Sequence, residues 1–223
     1  MSFDWRYELK LVCDAHRLPQ ARSWVRLHPA GFVVAYPPRR VNSLYLDNLQ
    51  LGSFEDNLAG SCTREKLRLR WYSDEMDVIQ PTLELKQKKG LLGRKRQSAL
   101  PCGLDMTRDW AEILKLIRSN AGPEWQLVLQ TLNQPTLLNH YQREYYVTPD
   151  GAVRLTLDFA LKAYDQRFSP RPNRSACLHG VDCVVIEIKT TPEHAERLPD
   201  VVAHFPIPRS RNSKYVRALM SSY

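Results

Sequence analysis

Apolar and polar residues alternate along much of the chain, and a period of two is typical of β-strands. This pattern predicts eight strands, at residues 5–13, 41–46, 64–73, 81–88, 94–100, 141–147, 153–159 and 182–190. Helical spacing predicts helices at residues 19–28, 50–58, 107–120, 124–133, 192–204 (behind a Thr191 cap) and 212–221. An antiparallel sheet of about eight strands loses its exposed edges when it closes. We therefore predict an α+β fold, a closed antiparallel β-barrel with helices packed outside.

The 223 residues, 43% of them hydrophobic, suffice for one sizeable domain, and we assign residues 1–223 to it. No apolar run approaches the roughly 18 residues of a membrane helix, and the N-terminus lacks the pattern of a secretory signal. These features predict a cytoplasmic protein without a membrane span. The five cysteines are scattered and odd in number, which argues against a disulfide framework.

The net charge of +8 and the pI near 9.3 favour an anionic partner such as nucleic acid, phosphate esters or an anionic membrane. A nucleic-acid-binding face usually shows as a basic helix or as an exposed surface of basic and aromatic residues. Much of the charge here lies inside predicted strands instead. We therefore expect no nucleic acid partner.

A glutamate and a lysine two positions apart recur in YELKL, LELKQ and VVIEIKT. Successive side chains of a strand point to opposite faces, so the two members of each pair share a face. The same parity unites nine bases and four acids on the polar faces of six strands. These residues are Lys10, Lys66, Arg68, Arg70, Lys86, Lys88, Arg143, Arg154 and Lys189, with Glu8, Glu84, Asp158 and Glu187.

For any single strand, such charges are explained by a solvent-exposed face. Across six strands, like charges on neighbouring strands would repel unless something anionic lay among them. If the sheet closes with these residues inside, it forms a basic tunnel. Arginines bind phosphate oxygens through several hydrogen bonds, lysines add positive charge, and carboxylates hold a divalent cation that bridges phosphate oxygens. The pattern therefore indicates a polyphosphate or nucleoside-triphosphate site.

The motifs, in their order, resemble the catalytic domain of the VTC (vacuolar transporter chaperone) family, the polyphosphate-polymerase branch of the CYTH-like triphosphate tunnel metalloenzymes. The resemblance runs through RYELK, VNSLYLDN, REKLRLRWY, LELKQKKG, YQREYY, RLTLDF, VIEIKT and NSKYVRAL, nearly the whole chain. Each motif alone is unspecific, whereas eight in order are specific. The superfamily usually opens with Glu-x-Glu-x-Lys, and Arg6 replaces the first glutamate here. This departure resembles the VTC branch and argues against a simple triphosphatase or cyclase.

The resemblance implies a polymerase that transfers the γ-phosphoryl of ATP to a growing polyphosphate chain, with Mn²⁺ or Mg²⁺ as cofactor. Carried over residue by residue, it implies phosphate contacts in catalysis from Lys10, Arg68, Arg70, Lys86, Arg143, Arg154, Lys189 and Lys214. Further phosphate-binding candidates are Lys66, Lys88, Tyr141, Ser213 and, from GRKRQ, Lys95. Glu187 is the leading metal ligand, with Glu8, Glu84 and Asp158 as further candidates. The implied ligands are ATP or another triphosphate and polyphosphate; the sequence leaves a membrane partner subunit and the oligomeric state open.

Other functions fit part of the pattern. The same phosphate-binding residues would serve a triphosphatase or polyphosphatase, or a non-catalytic module that binds polyphosphate or inositol phosphates. A nuclease of the PD-(D/E)xK type would use Asp158, Glu187 and Lys189 around a metal, but it explains neither of the other two Glu-x-Lys pairs. Cys177, His179 and Cys183 lack an evident fourth ligand, so we expect ordinary packing there rather than a metal cluster.

Overall fold

The computed structural model describes residues 5–90, 92–210 and 212–222. The strands in this part of the chain are β1 (Arg6–Cys13), β2 (Val33–Asp47), β3 (Thr63–Trp71), β4 (Val78–Ile79), β5 (Thr82–Lys89), β6 (Leu92–Ala99), β7 (Leu104–Asp105), β8 (Gln134–Val147), β9 (Val153–Asp165) and β10 (Val184–Thr190). The α-helices are α1 (Leu18–Arg26), α2 (Gly52–Ala59), α3 (Trp110–Asn120), α4 (Gln126–Thr131), α5 (Leu198–Ala203) and α6 (Lys214–Met220). Short 3-10 helices lie at Ala15–Arg17, Pro123–Trp125 and Pro192–Arg197. None of the helices described is long and apolar enough to cross a membrane.

Eight of these strands form a closed barrel in the order β1-β10-β9-β8-β2-β3-β5-β6, and β6 closes it by pairing with β1. Every neighbouring pair in the barrel is antiparallel. Strands β4 and β7 pair separately as a small second sheet. The structure confirms the predicted α+β fold, with its closed antiparallel barrel of eight strands.

The apolar faces of the barrel strands point outward and bury two cores under helices. One core joins leucines of β2, β3 and β5 to the apolar stripe of α3, where Trp110, Ile113 and Ile117 are buried. The other joins β1, β9 and β10 to α1 and α5, which bury Val25 and Val201 respectively. Because both cores lie outside the barrel, the alternating polar residues of the same strands face its interior.

A third apolar cluster covers part of the inner face. Val41 and Tyr45 of β2 and Leu137 of β8 pack against α6 and against Phe54 of α2. The rings of Tyr45 and Tyr215 of α6 stack with centroids 4.8 Å apart. Helix α6 therefore lies against the interior of the barrel, unlike the helices of the two outer cores.

Three strands are longer than the sequence predicted. Strand β2 begins at Val33 instead of residue 41. The sequence pattern missed residues 33–40 because they are mostly exposed and include Pro37 and Pro38, which weaken a strand pattern. Strand β8 begins at Gln134, and β9 continues to Asp165. In β9 the pattern of period two is interrupted at Ala160, whose φ is 52°, next to a register shift against β8.

The helix predicted at residues 192–204 is divided. The 3-10 helix Pro192–Arg197 precedes α5, and His194 has a non-helical backbone. Thr191 occupies the N-cap position, as predicted, but its side chain makes no capping hydrogen bond. All five cysteines are free thiols, as their scattered positions predicted.

Candidate functional site

The barrel register places the charged residues of different strands side by side. In β1 and β10, Glu8 lies opposite Lys189 and Lys10 lies opposite Glu187. Residues directly opposite each other in an antiparallel ladder share a face. The pairings Arg68 with Glu84 and Arg143 with Asp158 extend the same face around the barrel.

The first cluster of this inner face surrounds the carboxylates of Glu8 and Glu187. Lys86 Nζ lies 2.6 Å from Glu8 Oε2, and Lys10 Nζ lies 3.3 Å from Glu8 Oε1 and 3.7 Å from Glu187 Oε2. Lys189 forms an ion pair with Glu187. Burial raises the pKa of Glu187, but Lys189 and Lys10 outweigh it and hold that pKa well below its usual value. Both glutamates are therefore ionised at neutral pH, since the lysines lower the pKa of Glu8 in the same way.

The second cluster surrounds the buried carboxylate of Glu84. Arg68 donates two hydrogen bonds to Glu84 Oε2, of 2.9 Å from Nε and 2.6 Å from Nη2. Lys95 Nζ lies 3.1 Å from Oε1, and Arg70 Nε lies 3.8 Å from Oε2. Burial opposes ionisation, yet Arg68, Arg70 and Lys95 lower the pKa of Glu84 to about 2. One carboxylate thus neutralises only part of the charge of three cations.

The third cluster surrounds Asp158, which is 1% exposed. Arg143 donates to both carboxylate oxygens, at 2.5 Å from Nε and 2.7 Å from Nη2, and Lys214 Nζ donates to Oδ2 at 2.5 Å. Lys214 is the first residue of α6, so the position of that helix brings this ammonium into the barrel. Its Nζ also lies 4.5 Å from the centroid of the Tyr141 ring.

The segment before α6 reaches the lysines of the barrel wall. Lys66 Nζ donates to Ser213 Oγ at 2.7 Å, and Lys10 Nζ donates to the carbonyl oxygen of Asn212 at 3.0 Å. The Ser213 hydroxyl also caps α6 by accepting a hydrogen bond from the Val216 amide at 3.3 Å. Chain parts far apart in sequence are thereby fixed around one interior space.

Positive charge is in excess among the inner-face side chains that the structure describes. Nine bases share this interior with four carboxylates, so five positive charges remain when all of these groups are ionised. The bases are Lys10, Lys66, Arg68, Arg70, Lys86, Lys95, Arg143, Lys189 and Lys214, and the carboxylates are those of Glu8, Glu84, Asp158 and Glu187. Burial, with Lys10 and Lys86 nearby, lowers the pKa of Lys66 well below its usual value. Burial also lowers the pKa of Lys86 to about 8, although Glu8 opposes this. An anion in this space would relieve the repulsion that these lysines experience.

The match of the VTC domain family to this sequence covers residues 5–223. The chain belongs to the VTC domain family. Since the match spans nearly the whole chain, the barrel and the C-terminal segment are both part of this VTC domain.

Two solved structures resemble the fold of this VTC domain. A candidate adenylate cyclase from Vibrio parahaemolyticus aligns with a TM-score of 0.56 and 14% identity, over 98% of this chain and 99% of the other. A candidate adenylyl cyclase from Hippeastrum, described as having a dominant triphosphatase activity, aligns with a TM-score of 0.50 and 15% identity, over 94% and 90% of the two chains. No curated protein matches the sequence. The two likenesses support the barrel fold.

The sequence-predicted residues of the VTC domain separate into a central set and a peripheral set. Tyr141 belongs to the centre, because its hydroxyl accepts a hydrogen bond from Arg70 Nη2 at 3.2 Å. Arg154 shares the inner parity and lies opposite Lys189 in the strand register. Its side chain is exposed, and it forms no ion pair with a described side chain. Lys88 is half-buried opposite Arg64, and burial lowers the pKa of its ammonium. Arg154 is thus on the inner face by parity, but it is more exposed than Arg68, Arg70 and Arg143.

Sequence reasoning missed three neutral groups in the interior. Ser43 Oγ accepts a hydrogen bond from Arg70 Nη2 at 3.3 Å, and Tyr45 Oη lies 3.5 Å from Arg68 Nη1. Both alternate in VNSLYLDN, so their inner parity was a signal, although no charge marked them. The third group, the Asn212 carbonyl, is backbone and carries no signal of side-chain type.

The fit of a divalent metal to the described inner face depends on its carboxylates. Among the residues described, no group of three or more His, Cys, Asp or Glu side chains could hold a metal ion, and this includes Cys177, His179 and Cys183. Glu8 and Glu187 nevertheless bring two ionised carboxylates to the ammonium of Lys10. The buried Oε1 atom of Glu8 accepts no hydrogen bond. Hard cations such as Mg²⁺ commonly bind one or two carboxylates and complete their shell with phosphate oxygens and water. These two glutamates therefore fit a metal that arrives with a phosphate ligand.

Proposed function

We propose that this VTC domain is a metal-dependent phosphotransferase that moves the γ-phosphoryl of ATP to a growing polyphosphate chain inside the barrel. The observation that carries the proposal is the excess of nine inward bases over four carboxylates, with half-buried Lys66 hydrogen-bonded to a neutral serine. Such a surface is costly unless an anion of high charge density lies within it. A chain of phosphates meets that requirement, because it presents oxygens to several strands at once.

Each cluster has a role in this proposal. Arg68, Arg70 and Arg143 hold the phosphates through guanidinium groups, which suit several oxygens at once. Lys10, Lys86 and Lys189 bring positive charge to the transferring phosphoryl group, whose transition state is stabilised mainly by positioning and electrostatics. Glu8 and Glu187 would hold Mn²⁺ or Mg²⁺, which supplies charge neutralisation and polarisation of phosphoryl oxygens.

Hydrolysis of a triphosphate is the second candidate function. One observation favours it: α6 and α2 cover part of the inner face, where Tyr215 stacks on Tyr45 and Phe54 packs against Tyr215, and this leaves less room for a long product. The Hippeastrum protein of similar fold is itself described with a dominant triphosphatase activity. Both reactions require the same phosphate-binding clusters, so they differ only in the acceptor, polyphosphate or water.

The test is to incubate the protein with ATP and Mn²⁺ and to follow long polyphosphate by gel and orthophosphate by colorimetry. Polymerisation predicts long chains, hydrolysis predicts orthophosphate alone, and a binding module predicts neither. Glu187→Gln should abolish either product while Glu196→Gln, at an exposed position, should not. ATP that remains intact with every divalent metal, although it binds, would contradict an enzymatic function.

A further inference from the structure

Two tyrosines contact one arginine in the N-terminal part of β2, next to the phosphate-binding clusters, and a third tyrosine packs against one of them. The guanidinium carbon of Arg39 lies 4.4 Å from the ring centroid of Tyr72 and 5.0 Å from that of Tyr145. Arg39 Nε also donates a hydrogen bond to Tyr145 Oη at 2.9 Å. The ring of Tyr36 meets that of Tyr145 edge to face, with centroids 5.9 Å apart. We call Tyr36, Arg39, Tyr72 and Tyr145 the aromatic group.

The irregular start of β2 brings this group together. Tyr36 lies opposite Tyr145 and Arg39 lies opposite Arg143, so three steps along β2 match two steps along β8. In a regular strand, residues 36 and 39 would point to opposite faces. The register shift between them, at Pro37 and Pro38, puts both residues on the face of Arg143 instead. Bulges of this kind often re-aim side chains at barrel rims and beside active sites.

The aromatic group continues the phosphate-binding surface. Arg143 binds Asp158, and its guanidinium carbon lies 6.0 Å from the ring centroid of Tyr145. Tyr145 is also directly opposite Thr156, which in turn lies opposite Glu187. Tyr36 and Tyr72 remain 63% and 46% exposed, so their rings are open to a ligand. A planar aromatic surface with a cation therefore begins where the cationic interior ends.

We propose that the aromatic group stacks the base of a nucleoside triphosphate whose phosphates occupy the barrel. This inference rests on the proposed function and adds a preference for nucleoside triphosphates over inorganic tripolyphosphate. Every base presents a π-face to aromatic side chains and to arginine, whereas a linear polyphosphate presents none. The phosphate clusters then supply the affinity common to both ligands, and the aromatic group supplies the difference between them.

The test compares the dissociation constants of ATP and inorganic tripolyphosphate by calorimetry at one ionic strength. The unaltered protein should bind ATP more tightly than tripolyphosphate. Tyr72→Leu and Tyr36→Leu should each weaken ATP binding about fivefold or more and leave tripolyphosphate binding unchanged. Phe168→Leu, at an aromatic ring that is 85% exposed elsewhere on the surface, is the matched control and should change neither constant.

Each outcome decides between the two proposals. If the tyrosine variants leave ATP binding unchanged, or weaken both ligands equally, the base-stacking inference is wrong while the phosphate site stands. If the unaltered protein binds neither ligand, the proposed function fails and the base-stacking inference falls with it. Circular dichroism of the leucine variants separates a local effect from unfolding, and Tyr72→Phe should restore ATP binding because it keeps the ring.

Discussion

The ammonium of Lys66 donates a 2.7 Å hydrogen bond to the hydroxyl of Ser213, 147 residues further along the chain. The partner is neutral, and the surrounding Lys10, Lys86, Arg64 and Arg68 all lower the pKa of Lys66 beyond the effect of burial. This environment disfavours the protonated form of Lys66 in the folded protein. In the function proposed above, the lysine serves to bind a phosphate ligand at the expense of stability. Natural proteins commonly have lower stability at functional sites for this reason.

Lys66→Met should consequently have opposite effects on stability and binding. The free energy of unfolding at neutral pH should rise by about 1 kcal/mol, because desolvation and the neighbouring cations disfavour the charged form of Lys66 in the folded protein and methionine carries no charge. Affinity for tripolyphosphate should fall about tenfold, since a charged hydrogen bond is lost. Chemical denaturation and calorimetry measure the two quantities, and Lys115→Met on the exposed face of α3 is the control. Unchanged tripolyphosphate affinity would remove Lys66 from the site.

The pH dependence of binding follows from the lowered pKa values. Lys86, with a pKa of about 8, and Lys66 lose their protons in the free protein at lower pH than ordinary lysines do. A bound polyphosphate favours the protonated forms, so affinity should fall as pH rises through about 8 and above, with proton uptake on binding. Titrations in buffers of different ionisation enthalpy measure that uptake.

The stability of the ligand-free protein should change in the opposite direction over the same range. Both folded pKa values lie below the unfolded value of about 10.4, so the unfolded chain binds more protons and these two lysines make unfolding harder as pH rises from about 8 to 10. Lys86→Met should make both the affinity for tripolyphosphate and the free energy of unfolding less dependent on pH in this range. Tripolyphosphate affinity that rises above pH 8 would contradict the assignment of these lysines to the site.

Asp158→Asn should destabilise the protein strongly and make it depend on its ligand. The change leaves Arg143 and Lys214 without their shared carboxylate, and removing one member of a buried ion pair commonly costs about 3–5 kcal/mol. Tripolyphosphate would replace the lost negative charge, so it should raise the melting temperature of the variant more than that of the parent. Asp74→Asn is the control, because the Asp74 side chain is 90% exposed. An equal ligand-induced shift in all three proteins would place Asp158 outside the phosphate site.

Glu187→Gln and Lys189→Ala should separate metal binding from phosphate binding. Glu187→Gln keeps the size of the side chain and removes the charge that would hold a hard cation, so turnover should collapse while nucleotide still binds. Lys189→Ala removes charge that faces phosphate before and during transfer, so it should weaken both. Nucleotide affinity and Mn²⁺-dependent phosphate transfer are measured side by side. Near-normal turnover of a folded Glu187→Gln protein would exclude the residue from the reaction.

The strand alternation alone predicted most of the inner face, because parity is a local property of the chain. Arg68 and Arg70 follow directly from REKLRLRWY once its leucines pack outward. Parity does not tell how far a residue lies from the end of the barrel, so the sequence did not predict that Arg154 would be exposed while Arg143 is buried. For Arg154→Ala we now expect a smaller loss of binding than for Arg143→Ala.

Other site residues depend on contacts that a single sequence does not contain. GRKRQ has three bases in a row, and only the pairing of Lys95 with Lys86 decides which of them points inward. Lys214 and Ser213 were assigned through family resemblance, since their helix reaches the interior by tertiary packing with Tyr45 and Asp47. The bulge at Pro37 and Pro38, which joins Tyr36 to Tyr145, had no sequence signal beyond the prolines themselves.

The most direct measurement is a calorimetric comparison of orthophosphate, pyrophosphate and tripolyphosphate at one pH and ionic strength. If several basic clusters converge on one chain of phosphates, affinity should rise steeply with each added phosphoryl group and weaken with added salt. The triple variant Arg68→Ala, Arg70→Ala, Arg143→Ala should lose this dependence on chain length. Equal affinity of the unaltered protein for orthophosphate and tripolyphosphate would contradict the account of the barrel as a polyphosphate-binding site.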